Sequence, residues 1–145
     1  MILVTGASGK TGQAVLAALI SKKKSVRVLV RCEEQVSRAY EIGAVDVVVG
    51  DISDESILRK ASLGVRTLYH ICPNVHADEI GIGKASIGAA IASGVQHYVY
   101  HSVLHPQIEL MPHHWRKMRV EEALFESGLS FTILQPSTYM QNIVA

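Results

Sequence analysis

Residues 2–12, ILVTGASGKTG, carry the kind of backbone that holds phosphate, and two phosphate motifs compete for them. An NTPase phosphate loop needs G-x-x-x-x-G-K-[ST]. With Gly9-Lys10-Thr11 as its end, Val4 stands where the first glycine belongs. The later GIGKAS fails in the same way, with Asp78 at that place. A dinucleotide fingerprint fits better. Gly6, Gly9 and Gly12 recur every third residue, directly after an apolar strand pattern and before a helical one. Gly6 permits the tight strand-to-helix turn, Gly9 lets the backbone approach a pyrophosphate at the helix N-terminus, and Gly12 lets the helix lie close on the sheet. Ser8, Lys10 and Thr11 fill the same loop and join the glycines as cofactor-binding candidates. The plainer alternative is a glycine-rich turn with no ligand and an exposed Lys10.

About 20 residues beyond such glycines, an NAD site carries an acid that accepts hydrogen bonds from the ribose hydroxyls. Here VRVLVR closes on Arg31. A guanidinium accepts no hydrogen bond but pairs bidentately with a 2′-phosphate. NADP(H) is therefore expected over NAD(H), against the alternative of a solvated strand-end arginine. At VVVGDIS, residues 47–53, Asp51 is placed to accept from the adenine amino group and Ile52 to cover the ring. Equally, Asp51 or Ser53 could cap the following helix.

These residues sit on an alternation of short β-branched runs and longer helical stretches. Strands are predicted at 2–5, 26–30, 45–49, 67–71, 97–103 and 131–134, and helices at 11–22, 33–42, 55–61, 77–92 and 113–127. Gly43, Gly94 and Gly128 are expected to end helices. Nearly continuous apolar strands imply a parallel sheet covered on both faces. Short right-handed crossovers favour an α/β doubly wound (Rossmann) sheet of order 3-2-1-4-5-6. The 145-residue length suits one domain, and a net charge of +1 gives no electrostatic case for nucleic acid or an anionic membrane. The N-terminus enters a strand at once, leaving no basic segment and apolar core for a secretory signal. Two cysteines, Cys32 and Cys72, make no disulfide framework, and a cytoplasmic location is expected. Residues 1–136 read as the cofactor domain. Residues 137–145, STYMQNIVA, read as the start of a C-terminal substrate region that is otherwise absent.

Together VTGASGKTG, VRVLVR, GDISD, YVYHSVLHP and VEEALFESGLSFTILQPSTYMQN resemble the NmrA-like family, an atypical branch of the short-chain dehydrogenase/reductase superfamily, over essentially the whole chain. The resemblance implies an NADP(H)-preferring Rossmann domain followed by a smaller substrate region. It also implies that members are either reductases of quinones and related acceptors or non-catalytic redox sensors. The superfamily's Tyr-x-x-x-Lys pair, one helical turn apart, matches HHWRK, where Lys117 keeps the lysine and His113 stands at the tyrosine. Lys117 is thus implied as a cofactor ligand and His113 as a substitute acid. Ser102 is the hydroxyl nearest the superfamily's serine, with Val103 the alternative for the strictly equivalent position. Cys72 and Pro73 of HICPN are implied to run over the cofactor with backbone contacts. Tyr139, after QPS, is implied to line the nicotinamide or substrate side.

The remaining titratable residues read more plainly. His97, His101 and His105 recur every four residues, but on a strand such positions lie about 13 Å apart, too far for one metal ion, and no metal site is expected. Cys32, beside Arg31, is either a thiol biased toward thiolate or an inert small side chain. RKMRVEEALFE reads as the solvated face of an amphipathic helix with Val120, Leu124 and Phe125 turned inward. The leading expectation is an NADP(H)-dependent oxidoreductase acting on a small carbonyl or quinone. The alternatives are an NADP-binding sensor acting through a protein partner, and an inactive fragment of either.

Overall fold

The computed structural model describes residues 1–73 and 75–140. In chain order the elements are β1 (Ile2–Val4), α1 (Lys10–Ser21), β2 (Val26–Val30), a 3-10 turn at Glu33–Gln35, α2 (Val36–Ile42), β3 (Asp46–Val49), α3 (Glu55–Ser62), β4 (Thr67–His70), α4 (Glu79–Ala92), β5 (His97–His101), α5 (Pro112–Glu126) and β6 (Phe131–Leu134). Six parallel strands are ordered β3-β2-β1-β4-β5-β6, the expected doubly wound sheet. β1 and β4 are hydrogen-bonded neighbours whose following helices cover opposite faces, and their C-terminal ends form the switch point at which ligands bind in such sheets.

Strand alternation sorts the core into two layers. Leu3, Leu29, Leu68, Tyr98 and Tyr100 pack with Leu58, Val120 and Leu124 on one face. Val4, Val26, Val28 and Val30 pack with Leu16 of α1 and Ala39 of α2 on the other. Beyond α1 that second face is only partly covered: Tyr69, Val99 and His101 are half-buried.

Boundaries moved where local chemistry overrode pattern. β5 stops at His101, two residues short of expectation, although Ser102 and Leu104 still donate backbone N–H groups to Leu134 and Pro136. Helix 33–42 divides into the 3-10 turn and α2. Gly43, Gly94 and Gly128 adopt φ of 114°, 68° and 73°, as helix-ending glycines do. Neither Asp51 nor Ser53 caps α3; Asp54 does, accepting from the backbone N–H groups of Ser56 and Ile57. In α5, Val120 and Leu124 are fully buried, but Phe125 is 62% exposed and meets Phe131 edge-on. Glu121, read as solvated, is buried instead.

The tightest contact lies between β1 and α1. A Cβ on Gly12 would stand 2.1 Å from the Gly6 carbonyl oxygen and 2.6 Å from Ala7 Cα, both backbone atoms. Gly6 itself has φ +63°, and a Cβ there would meet Ile71 O at 2.6 Å. Gly12→Ala is expected to lose about 1–3 kcal/mol of stability, the usual range for overpacking, as a lower urea midpoint.

Candidate functional site

The C-terminal ends of the strands open into a cleft of about 970 Å³. Its walls include every cofactor candidate from the sequence: Gly6, Ser8, Gly9, Lys10, Thr11, Gly12, Arg31, Asp51, Ile52, Cys72, Pro73 and Lys117. Ser102, His113 and Tyr139 line it too. His76, His101, Met111 and His114 also face it and were not singled out as cleft residues by the sequence.

The glycine loop is braced from within. Gly9 N–H donates to Gly6 O at 3.2 Å, and Gln13 Nε2 donates to Ser8 O at 2.9 Å. Helix α1 has Gly9 as its N-cap, with no side-chain cap and no acid in its first turn, and Gly9, Lys10 and Thr11 at this positive end line the cleft. A Cβ on Gly9 would find only Gly6 O, at an ordinary 3.5 Å. Unlike Gly6 and Gly12, Gly9 is therefore not demanded by the protein's own packing; its missing side chain leaves room above the loop.

At the other end Arg31 is exposed, with its backbone N–H donating to Gln35 Oε1 at 2.9 Å. Asp51 Oδ1 accepts from Ser53 N and Ser53 Oγ at 2.8 and 2.7 Å. Those two hydrogen bonds hold its carboxyl below the usual range, and the charges of Arg31 and His76 add to the effect. Cys32 departs from the thiolate expectation. A hydrogen bond to the Glu34 carboxylate, some burial and the negative charge of Glu34 push its thiol up, which favours the inert alternative. Burial pushes the Cys72 thiol up to about 12.

Beneath the β4 and β5 ends lies a buried polar layer. Thr5 Oγ1 accepts from Ile71 N at 3.0 Å and sits 3.1 Å from His70 Nδ1, tying β1 to β4 where they part. Lys117 pairs with Glu79, only 1% exposed, and lies 3.4 Å from the His101 carbonyl. Tyr100 donates to the same Glu79 oxygen at 3.2 Å. Ser102 donates to Glu121, whose carboxylate also takes Gln135 Nε2 at 3.0 Å on both oxygens. The hydroxyl hydrogen of Ser102 is thus directed at Glu121. His113 lies one turn before Lys117, its ring edge-on to His114 at 4.5 Å. His97 bonds Ser130 and Thr132 through its two ring nitrogens, while His101 lies between Tyr69 and Tyr139. These histidines serve separate hydrogen-bond sets.

Sequence reasoning missed Glu79, Glu121 and His70. Glu79 looks like a first-turn helix acid, and Glu121 like one of two surface glutamates. The available signal was spacing: Glu121 follows Lys117 by four and precedes Leu124 by three, which puts it on the face of α5 that those residues share.

The architecture is that of a Rossmann-type nucleotide-binding domain. Residues 1–145 match the NmrA-like family, and the chain belongs to it. It is similar to an NAD(P)H azoreductase of Xenophilus azovorans, 30% identical over 99% of this chain and 50% of the relative. It is also similar to quinone oxidoreductase 2 of Escherichia coli, 29% identical over 100% and 51%. A crystal structure of an NADPH-dependent quinone oxidoreductase from Escherichia coli complexed with NADPH superposes with a TM-score of 0.89 at 27% identity, covering 99% of this chain and 51% of that one. The chain thus spans about half the length of these relatives. Among the described residues, no helix is long and apolar enough to cross a membrane.

His70 makes the buried layer sensitive to acid. Burial, with the positive charge of Lys117 adding to it, lowers its pKa from 6.5 to about 3. Above pH 6.5 the imidazole is neutral in both folded and unfolded chains; between 6.5 and about 3 only the unfolded chain takes the proton. Stability is therefore expected to fall through that window. Urea midpoints measured against pH are expected to fall less steeply in His70→Gln than in wild type.

Proposed function

We propose that this chain binds NADP(H) in the cleft and belongs to an oxidoreductase that reduces a small quinone or carbonyl acceptor. The observation that carries the reading is the vacant space over Gly9, at the uncapped start of α1 and at the sheet's switch point. A phosphate suits that place because unpaired helix N–H groups and the helix dipole both favour an anion. Similarity to NAD(P)H reductases supports the redox class.

In this reading Gly6, Gly9 and Gly12 shape the diphosphate cradle, with Ser8, Lys10 and Thr11 around it. Arg31 takes the 2′-phosphate, while Asp51 and Ile52 hold the adenine. Cys72 and Pro73 contact the cofactor through their backbone, and Lys117, steadied by Glu79, holds the nicotinamide ribose. Bound there, the dihydronicotinamide supplies the hydride. Residues 1–136 are assigned to the cofactor, and 137–140, with Tyr139, to the acceptor side; residues 141–145 of the expected second region lie outside the described residues. A cytoplasmic location remains our assignment, on the two free cysteines.

Isothermal calorimetry with NADPH and NADH tests the cofactor choice. Charge-assisted hydrogen bonds contribute about 1.5–3 kcal/mol each, so wild type is expected to favour NADPH by about tenfold or more. Arg31→Asp is expected to lose that preference, and equal binding of both cofactors by wild type would remove it. Gly9→Ala separates cradle from packing: the variant is expected to keep the wild-type melting temperature while binding NADPH more weakly. Undiminished binding would argue against phosphate over this loop. Steady-state oxidation of NADPH by a panel of quinones tests the reaction itself.

A further inference from the structure

The helix pair that matches the superfamily's proton-donating dyad is poorly equipped for that work here. His113 occupies the tyrosine position and packs against His114, and Lys117 is committed to Glu79. A different pair faces the same cleft. The phenolic oxygen of Tyr139 lies 2.6 Å from His101 Nε2, and Tyr69 Oη lies 3.1 Å from His101 Nδ1. The three rings come from β4, the end of β5 and the segment after β6, and both His101 and Tyr139 line the cleft.

We infer that Tyr139 is the proton donor to the reduced acceptor, with His101, braced by Tyr69, as the positioning residue that orients Tyr139 and stabilises its phenolate. The inference rests on the cofactor reading above. Either neutral tautomer would satisfy both contacts, and the role inferred here requires the one that leaves the Tyr139 hydrogen free. With its proton on Nε2, neutral His101 accepts the Tyr69 O–H at Nδ1 and donates to Tyr139 Oη. The hydrogen of Tyr139 is then left for the cleft. Burial and the nearby Lys117 charge lower the His101 pKa, which keeps the ring in this neutral form. Tyr139 is 37% exposed, so it is open to both acceptor and water.

The proton balance closes without a further reactant. A quinone that has accepted a hydride is a hydroquinonate anion, one proton short of hydroquinone. The Tyr139 O–H bond breaks as the hydroquinone O–H forms. The electron pair stays on Tyr139 Oη, where the His101 Nε2–H donates to it, and water then restores the phenol.

Three measurements test this. In ¹⁵N NMR of the protein without cofactor, His101 is expected to be a single Nε2–H tautomer whose resonances move in Tyr139→Phe; identical spectra would overturn the pairing. In NADPH oxidation with benzoquinone, Tyr139→Phe is expected to lower kcat by about a hundredfold or more, the usual share of general acid catalysis, with NADPH Kd unchanged. The solvent deuterium isotope effect of wild type is expected to disappear with it. His101→Gln, which keeps an N–H donor, is expected to retain more turnover than His101→Phe. Wild-type turnover in Tyr139→Phe would overturn the proton-donor role and leave the cofactor reading intact. NADPH binding without benzoquinone reduction by wild type would do the same, whereas failure of wild type to bind NADPH would overturn both.

Discussion

The structure depends on a backbone-to-backbone contact at the first strand–helix turn. Gly12 brings α1 so close to the loop that a single methyl group would penetrate the Gly6 carbonyl. That approach sets the height of α1 over the sheet and aims its N-terminus at the crevice between β1 and β4. Gly6, in the left-handed region and pressed against Ile71, ties the same loop to the end of β4. Two glycines are thus consumed by packing, and the third, Gly9, leaves the free space. Loop and core are one construction, since the turn that leads into α1 also seats Leu16 in the buried layer.

A second constraint lies under the floor of the cleft. Carboxylates with little or no access to water are costly unless paired and hydrogen-bonded. Glu79 answers this with Lys117 and Tyr100, and Glu121 with Ser102 and Gln135. Each network joins an α-helix to the end of β5 or to the segment beyond β6. The loops that carry cleft residues are thereby anchored by interactions that tolerate little displacement. Lys117 and Ser102 are consequently held by acids behind them as well as facing the cleft.

Much of the fold was legible because it rests on local periodicity. Strand–helix alternation, the three glycines and the helix-ending Gly43, Gly94 and Gly128 each carry their meaning within a few residues. The place of Arg31 and Asp51 on the cleft wall was legible for a related reason: each follows a strand, at the C-terminal edge of the sheet. Boundaries drifted at element ends, as at β5, which stops at His101 although the next residues remain hydrogen-bonded to the segment after β6. Phe125 was misassigned because helical spacing gives a stripe but not its width. In the folded chain Val120 and Leu124 fill the interface, and the next position falls outside it.

The sequence by itself determined the class of fold, the strand order and the glycine loop at the first strand–helix turn. Those follow from chain-local sterics and from the handedness of crossovers. Only the tertiary structure decided which polar side chains meet. Thr5 meets His70 across 65 residues, Lys117 meets Glu79 across 38, and His101 joins Tyr69 across 32 and Tyr139 across 38. No local pattern encodes such pairs. They arise because parallel strands distant in sequence end side by side, and because burial leaves their polar atoms dependent on one another for hydrogen bonds.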